Sequence, residues 1–413
     1  MRQTSGFIST YSADTFGVCS ALYELGGMVV MHDASGCNST YTTHDEPRWY
    51  DMDSMVYISA LTEIEAIMGD DSKLIEDIVR AAEELHPRFI AIAGTPIPAM
   101  TGFDADAAAR VIEERTGIPS FGFTTTGMKS YVHGAKQAFE MLADRIVEAG
   151  NNKNQSKKKL LHEECTDSRD TKQTNLENEN VWSNRNLSVN ILGLTPLDFS
   201  VNGSDKSIAE HYRKKGCSII SGWAMGSDIE EIKKSAEADL NIVVSETGIG
   251  AAQRLKEKFG IPFRVGIPVG GEDIDVTEEF EQSIKNTLPC AVYPIEKTNP
   301  ESTEEIDKTE ILILGERVNS FSFAKYISKK ICKKCMGYAT TDSDEDEIVE
   351  MISSLKNLKV VIADPLFKPM LKLVKNIPMA DVSFIEYPHE AFSGRLYRSQ
   401  IPNIIEDVSR FLD

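Results

Sequence analysis

Short apolar runs alternate with stretches of helical periodicity along most of this chain. Apolar runs of strand length lie at 29–31, 89–93, 188–194, 240–244, 310–315 and 360–363. Between them, the spacing of apolar positions predicts helices over 19–27, 64–85, 104–115, 131–147 and 251–259, the second of them interrupted at 69–71. Short strands separated by helices are typical of parallel sheets, so the pattern predicts an α/β fold.

Two polar segments divide this pattern into three units. Residues 151–186 lack apolar periodicity and are rich in asparagine and lysine, so we expect a flexible linker there. Residues 296–309 are acidic and rich in Thr, Pro and Asn, and we interpret them as a second linker. We therefore predict α/β units over 1–150, 187–295 and 310–413, each of ordinary domain size.

Composition narrows the class of protein. The formal charge of -20 disfavours nucleic acid as a partner, since phosphates favour a basic surface. The excess of acidic residues either favours docking to a basic surface of a partner protein or only keeps the protein soluble. No apolar run is long enough to span a membrane, and the first residues lack the pattern of a secretory signal. Seven unevenly spaced cysteines do not indicate a disulfide framework, so we expect a cytoplasmic protein.

Cys37 is the strongest candidate for chemistry. It follows the apolar run 29–31 and lies on a glycine-containing turn, where a strand of the predicted sheet ends. Ligands bind at the carboxyl ends of strands in open α/β sheets, so this thiol is a candidate ligand or redox group. The alternative is a buried cysteine that only fills space.

Several other polar residues follow predicted strands. His32 is either a proton donor or a histidine bonded to backbone, and His44, in an acidic loop, is a candidate general acid. His389 follows the last predicted strand and is a candidate to line a pocket, with Arg395 as an anion-binding or interface candidate. Cys332 and Cys335 form a C-x-x-C motif among lysines, whose positive charge would lower the pKa of a thiol. The sequence has no second pair of cysteines or histidines that would complete a zinc site. No glycine-rich nucleotide fingerprint follows a strand, so any ATP chemistry belongs to a partner.

A family resemblance rests on short motifs in a specific order. His32-Asp33 with Gly36-Cys37 after a strand resembles the cluster-cysteine loop of nitrogenase component 1 proteins. The likeness continues at 92–96, 240–245, 259–262 and 363–365, and covers nearly the whole chain apart from the linkers. The family contains nitrogenase subunits, cofactor-assembly scaffolds and tetrapyrrole reductases. The resemblance implies three Rossmann-like domains with parallel sheets flanked by helices.

The same resemblance implies an incomplete set of metal ligands. Cys37 matches the family's second cluster ligand. The first ligand would fall near 13–15, which contains no cysteine, and the nearby Cys19 is the candidate substitute. The third ligand position is occupied by Thr95. Ser245 stands where the catalytic subunit binds its large cofactor through cysteine, so we expect no iron-molybdenum-type cofactor. A cubane needs four ligands, so we expect a [4Fe-4S] cluster shared across a dimer interface.

The resemblance also implies a function. We expect an oxidoreductase that forms a homodimer, or a heteromer with a related component 1 subunit, and receives electrons from an ATP-dependent iron protein. The residues expected to line its substrate pocket are His32, His44, Ser245, His389 and Arg395. Two alternatives remain: a scaffold that carries a cluster or cofactor precursor without turnover, and a small-molecule binding protein without metal.

Overall fold

The computed structural model describes residues 12–34, 46–149, 186–293, 308–341, 343–374, 381–387 and 401–412. Its strands are β1 (Met28–His32), β2 (Met55–Ile58), β3 (Ile90–Gly94), β4 (Ser120–Phe123), β5 (Ser188–Leu192), β6 (Ser218–Gly222), β7 (Leu240–Val243), β8 (Phe263–Val265), β9 (Pro268–Val269), β10 (Glu272–Asp273), β11 (Cys290–Tyr293), β12 (Ile311–Gly315), β13 (Cys335–Ala339), β14 (Val360–Ala363) and β15 (Ser383–Glu386). Its α-helices are α1 (Asp14–Leu22), α2 (Glu63–Met68), α3 (Ser72–Leu85), α4 (Pro96–Thr101), α5 (Ala105–Thr116), α6 (Tyr131–Met141), α7 (Pro196–Phe199), α8 (Ser204–Lys214), α9 (Ile229–Lys233), α10 (Ile249–Phe259), α11 (Thr277–Lys285), α12 (Arg317–Ile331), α13 (Glu345–Ser354) and α14 (Ile401–Leu412).

The strands form three main sheets. The first has the order β2-β1-β3-β4 and the second β6-β5-β7-β8, and every pairing in both is parallel. The third has the order β11-β13-β12-β14-β15 and is parallel except for β11, which runs antiparallel to β13. The predicted α/β class with parallel sheets flanked by helices is confirmed. By sequence, β11 lies in the second predicted unit, before the predicted linker at 296–309, but it pairs with β13 of the third sheet. The boundaries of the three units stay predictions.

The predicted interruption at 69–71 separates two helices. Thr62 and Glu65 form a capping box that starts α2, with the Thr62 side chain accepting from the backbone of Glu65 and the Glu65 side chain accepting from the backbone of Thr62. Gly69, at a φ of 62°, ends α2 in the left-handed conformation that glycine adopts without strain. The next helix, α3, buries a stripe of apolar residues against the first sheet, whereas α2 buries none of its residues.

Two glycines bring α1 and α6 into close contact. A Cβ atom at Gly134 would lie 1.8 Å from the carbonyl oxygen of Asp14, and one at Gly17 would lie 2.0 Å from that of Tyr131. Only glycine permits backbones to approach so closely. This packing buries α1 on every side and holds its first turn beside the carboxyl edge of the first sheet.

One apolar core joins the three sheets. Its largest cluster contains residues of each sheet, among them Met31, Ile191 and Ile313. Helices α1 and α6 lie between the first and second sheets, and α12 packs on the third. Within the described ranges, no helix has both the length and the apolar character that crossing a membrane requires.

Candidate functional site

The carboxyl edge of the first sheet is the candidate site. The strand order reverses between β1 and β3, and ligands of doubly wound sheets bind in the crevice at such a point. His32 ends β1 opposite Gly94, and the next residue, Thr95, donates a hydrogen bond of 2.9 Å from Oγ1 to the carbonyl oxygen of His32. Cys37 follows β1 along the chain, but Cys37, His44, His389 and Arg395 lie outside the described residues.

An open groove lies at this edge, between α2 and α4. Its volume is about 710 Å³, and its walls are mostly apolar, formed by Ala34, Leu61, Ala66, Ile67, Ile97 and Thr101. Ala34 is the last described residue before the segment that carries Cys37. The groove therefore lies next to the point where that segment leaves the sheet.

The helices beside the groove expose apolar side chains to solvent. Ile67 is 74% exposed and Met100 is 87% exposed, and Ile64 and Met68 on α2 are exposed to a similar extent. Exposed acidic residues, among them Glu63 and Asp70, lie on or just after the same helix. Exposed apolar side chains with charged neighbours are typical of an interaction surface.

His32 is a neutral, buried histidine. Its ring is 3% exposed, packs on Phe103 with centroids 4.4 Å apart, and places Nδ1 at 2.8 Å from the hydroxyl of Ser59. Burial lowers its pKa to about 4, although Asp33 and Glu65 act in the opposite direction. A histidine with this pKa is neutral at neutral pH, and the predicted role of His32 in proton donation or orientation stays a prediction.

The positions assigned by resemblance to the first and third cluster ligands hold oxygen atoms that already have partners. The carboxylate of Asp14 accepts from the backbone of Gly127 at 2.7 Å and of Thr126 at 3.0 Å. Thr15 Oγ1 donates to the carbonyl oxygen of Gly94 at 2.7 Å, as Thr95 does to that of His32. The two threonines tie β3 to α1 and to β1, and these oxygen atoms are poor ligands for iron-sulfur clusters.

Cys19 lies in the apolar core rather than at this edge. It sits on α1, is fully buried, and belongs to the cluster that joins the first two sheets. Burial, and then the nearby Glu46, raise the pKa of its thiol. A thiolate is the form that binds metal, so this position weighs against Cys19 as a ligand, and its role stays a prediction.

A buried ionic network lies just after the segment that carries Cys37. Arg48 Nε and Nη2 donate to the two carboxylate oxygens of Glu46 at 2.7 and 2.8 Å, and Nη1 donates to Glu24 at 3.0 Å. The guanidinium also donates to the carbonyl oxygens of Ser20 and Ala224. We did not predict this network, since an arginine two residues after a glutamate in a polar loop resembles an ordinary solvated pair.

Ser245 lies at the carboxyl end of β7, in a second polar cluster that is fully buried. Its hydroxyl donates to Asp198 at 2.6 Å, and the same carboxylate accepts from Thr195 at 2.7 Å and from the phenol of Tyr131 at 2.5 Å. Tyr131 begins α6, which packs on α1, so the cluster links the first two sheets. Ser245 and His32 thus have different partners, at the edges of different sheets.

The second and third sheets meet beside this cluster. Glu316 accepts from the backbone of Glu246 at 2.8 Å, and Arg317 Nε donates to the Glu246 carboxylate at 2.9 Å. Burial and the charge of Asp198 raise the pKa of Glu316 to about 8. Sequence reasoning missed these residues because each is an isolated charge until the sheets bring them together.

The C-x-x-C motif does not form a paired thiol site. Cys332 is exposed at the end of α12, whereas Cys335 is buried in β13. Burial, and then Glu310, raise the pKa of Cys335, so the expected lowering by lysines is wrong for this thiol. Across the part of the chain that the structure describes, no group of three His, Cys, Asp or Glu side chains could hold a metal ion.

Comparison with known proteins agrees with this architecture. The chain is 24% identical over 363 residues to the nitrogenase iron-molybdenum cofactor biosynthesis protein NifE of Clostridium pasteurianum, covering 81% of this chain and 72% of that protein. It is 22% identical over 191 residues to a light-independent protochlorophyllide reductase subunit of Synechococcus sp. (strain CC9311), covering 44% of this chain and 36% of that protein. A solved structure titled "Nitrogenase Cp1 at pH 6.5" superposes with a TM-score of 0.58 at 13% identity, over 100% of this chain and 94% of that one.

Three sheets, parallel except for β11 in the third, with a crevice at the edge of the first, define a Rossmann-type α/β protein. Residues 14–309 match the family model described as nitrogenase component 1 type oxidoreductase, and the chain belongs to that family. The solved nitrogenase structure shares its fold over nearly the full length of both chains. The resemblance inferred from the short motifs is confirmed.

Proposed function

We propose that this chain is a nitrogenase-like component 1 subunit of the cytoplasm that receives low-potential electrons from an ATP-dependent iron protein. A [4Fe-4S] cluster at a subunit interface, with Cys37 among its ligands, would supply the electron transfer, and the substrate is a small molecule or a tetrapyrrole. The observation that carries the proposal is the apolar groove and exposed helix face beside Ala34, three residues before Cys37, in a chain of this family. This arrangement suits a chain that meets a redox partner close to the residue that holds its cluster.

The described residues at the edge of the first sheet do not offer a complete set of cluster ligands. Thr15, Thr95 and Asp14 present oxygen atoms that other groups already engage, and Cys19 is buried in the core. Cys37 is thus the ligand on which the proposal depends. In this proposal the remaining ligands come from a second subunit, whether a second copy of this chain or a related one.

The exposed apolar face supports docking of the iron protein at this edge. Ile64, Ile67 and Met68 of α2 lie outside the apolar clusters of the described core. The helix begins at its capping box, contacts α4, and forms an ion pair from Glu65 to Lys73 of α3. Acidic residues around the face would complement a basic rim on the partner. The proposed surface therefore has an apolar centre and a charged margin, as docking surfaces have.

The proposed substrate pocket keeps the predicted residues. His32, a neutral imidazole at the edge of the first sheet, is the candidate to orient the substrate. Ser245, bonded to Asp198 at the edge of the second sheet, is a separate candidate. His44 and His389 are the remaining candidates for proton donation, and Arg395 for binding an anionic group.

Anaerobic purification followed by iron and acid-labile sulfide analysis tests the proposal. We expect iron and sulfide in the wild-type protein, purified with its partner subunit, and loss of both in Cys37→Ala. Cys217→Ala is the matched control, since Cys217 is a buried thiol remote from the edge of the first sheet. A wild-type protein without iron would contradict the proposal, and Cys19→Ala shows whether Cys19 is a ligand.

A cluster or cofactor scaffold is the second candidate. It is favoured by the match to a cofactor biosynthesis protein over 81% of this chain. A scaffold needs the same ligands without turnover, so it would release its cluster to an apo-acceptor. Transfer of the cluster, with no substrate-dependent oxidation of the reduced protein, would support the scaffold and exclude the reductase.

A further inference from the structure

The crevice at the carboxyl edge of the second sheet is filled by the chain itself. The strand order of this sheet reverses between β5 and β7, and ligands of doubly wound sheets bind at such a point. Here the short helix α7, which follows β5, is buried along its whole length. The chain thus places its own side chains where a ligand is expected.

Asp198 of α7 lies among hydroxyl donors that fit a carboxylate. The Tyr131 hydroxyl donates to Oδ1 at 2.5 Å, and the Ser245 hydroxyl donates to Oδ2 at 2.6 Å. Thr195 adds a second bond to Oδ2 at 2.7 Å. Tyr131 belongs to α6 and Ser245 follows β7, so neither donor depends on α7 for its position. A ligand with a carboxylate group can accept the same two bonds.

The segment that carries α7 has the backbone features of a strap that opens. We call residues 194–202 the α7 strap; it lies between Gly193 and Gly203, whose φ angles are 89° and 92°. Ser200 directly follows α7 and has a φ of 54° and a ψ of -176°, a conformation populated almost only by glycine. Such strain persists because the surrounding structure enforces it, and movement of the strap would release it. The flanking glycines can absorb the change in backbone angles.

The apolar contacts of the strap are limited. Phe199 of α7 joins the main core, but Leu197 belongs to a small separate cluster with Tyr131 and Val132. Val201, which follows the strained residue, is 45% exposed. A short strap therefore leads from the buried carboxylate to the surface.

We infer that Tyr131 and Ser245 form a binding site for a carboxylate ligand, which the α7 strap occupies with Asp198 until the ligand displaces it. Asp198 has the charge and the acceptor atoms of such a ligand, so the exchange leaves neither hydroxyl without a partner. This site deepens the proposed function, on which it rests in taking Ser245 as a pocket residue. Its test uses neither iron nor turnover, so the carboxylate site and the proposed cluster can fail separately.

Chemical rescue of the full-length chain tests the carboxylate site. Asp198→Ala removes the carboxylate and leaves the hydroxyl donors, so we expect a lower thermal midpoint that sodium formate partly restores and an equal concentration of sodium chloride does not. Asp364→Ala is the matched control. Asp364 is also buried after a strand, at the edge of the third sheet, but it accepts from the backbone of Leu366. The midpoint of this control should respond equally to the two salts.

Hydrogen exchange measures the opening of the strap. The amides of Phe199 and Ser200 donate to the carbonyl oxygens of Thr195 and Pro196, so they exchange only when the strap opens. We expect them to exchange faster than the amides of β5 and β7. Ser200→Gly should slow their exchange about threefold or more, because glycine removes the strain of the closed strap. Val201→Ala, an exposed substitution in the same strap, should leave the exchange unchanged.

Equal rescue by formate and chloride, or no rescue of a folded Asp198→Ala protein, would overturn the carboxylate site. If Asp198→Ala does not fold, hydrogen exchange of the wild type decides the matter. Strap amides that exchange only together with β5 and β7 would then overturn the proposed opening. A wild-type protein without iron is a separate outcome, since it contradicts the proposed cluster and leaves this site untouched.

Discussion

Thr95 Oγ1 lies 2.9 Å from the carbonyl oxygen of His32 and donates a hydrogen bond to it, joining the ends of β3 and β1. Thr95 stands at the position that the family resemblance assigns to the third cluster ligand. By this resemblance, a hydroxyl group that holds two strands together stands where relatives have a thiol, and the assignment of position 95 to a cluster ligand stays a prediction.

Restoring a thiol at this position should increase metal binding. We expect Thr95→Cys to raise iron per chain above the wild-type value, because thiolates bind iron-sulfur clusters far better than hydroxyls do. Thr125→Cys is the matched control, since Thr125 is also buried and also donates to a backbone carbonyl oxygen at this edge, that of Gly94. Iron analysis after anaerobic reconstitution measures both. Equal iron in the two variants would show that position 95 is not at the cluster.

Stability should depend on His32 in mildly acidic solution. The pKa of His32 is lowered to about 4 in the folded protein, whereas that of an unfolded histidine is about 6.5. Below pH 6.5 the unfolded chain binds a proton that the folded chain does not, so this contribution to stability falls as the pH falls towards 4. The loss is at most about 3 kcal/mol. Urea unfolding from pH 7.5 to 4.5 should show a shallower decrease in stability for His32→Gln than for the wild type. A decrease of wild-type steepness in His32→Gln would contradict the prediction.

The exposed face of α2 and α4 should be needed for docking and not for folding. We expect Ile67→Asp and Met100→Asp to keep the wild-type thermal midpoint, because both side chains are already in solvent. Electron transfer from the iron protein should fall by about tenfold or more, since hot-spot residues at interface centres carry most of the binding energy. Ile284→Asp, on α11 and half-exposed, is the control that should transfer electrons normally. Normal transfer in the first two variants would exclude this face as the docking surface.

Cys332 should tolerate glycine with a gain in stability. Its φ of 57° lies in the left-handed region, at the C-cap of α12, where glycine is favoured. We expect Cys332→Gly to stabilise the protein by about 0.5–1 kcal/mol, because relief of this strain exceeds the added entropy of the unfolded chain. Thermal unfolding of the apo protein measures the change. A lower midpoint would indicate that the Cys332 side chain makes contacts that matter.

The alternation of strands and helices could be predicted from the sequence, but the direction of particular side chains could not. Helix α1 is the clearest case: all of its residues are buried, so no polar face marks which way Cys19 points. The antiparallel strand β11 was missed because pairing across a linker leaves no periodic signal. The Arg48 network depends on residues from three segments, which only the folded chain brings together. Cys37 could be identified as a candidate because it follows β1 in the sequence, and this local feature can be recognised without knowledge of the tertiary structure.

The proposed transfer of electrons to a cluster at Cys37 can be observed by EPR spectroscopy of the protein mixed with the iron protein of its own system. With ATP and a low-potential reductant, we expect the signal of a reduced [4Fe-4S] cluster to develop on the component 1 complex, and to be absent without ATP or in Cys37→Ala. A signal that needs no ATP, or a complex that shows no cluster signal under any of these conditions, would contradict the proposed function.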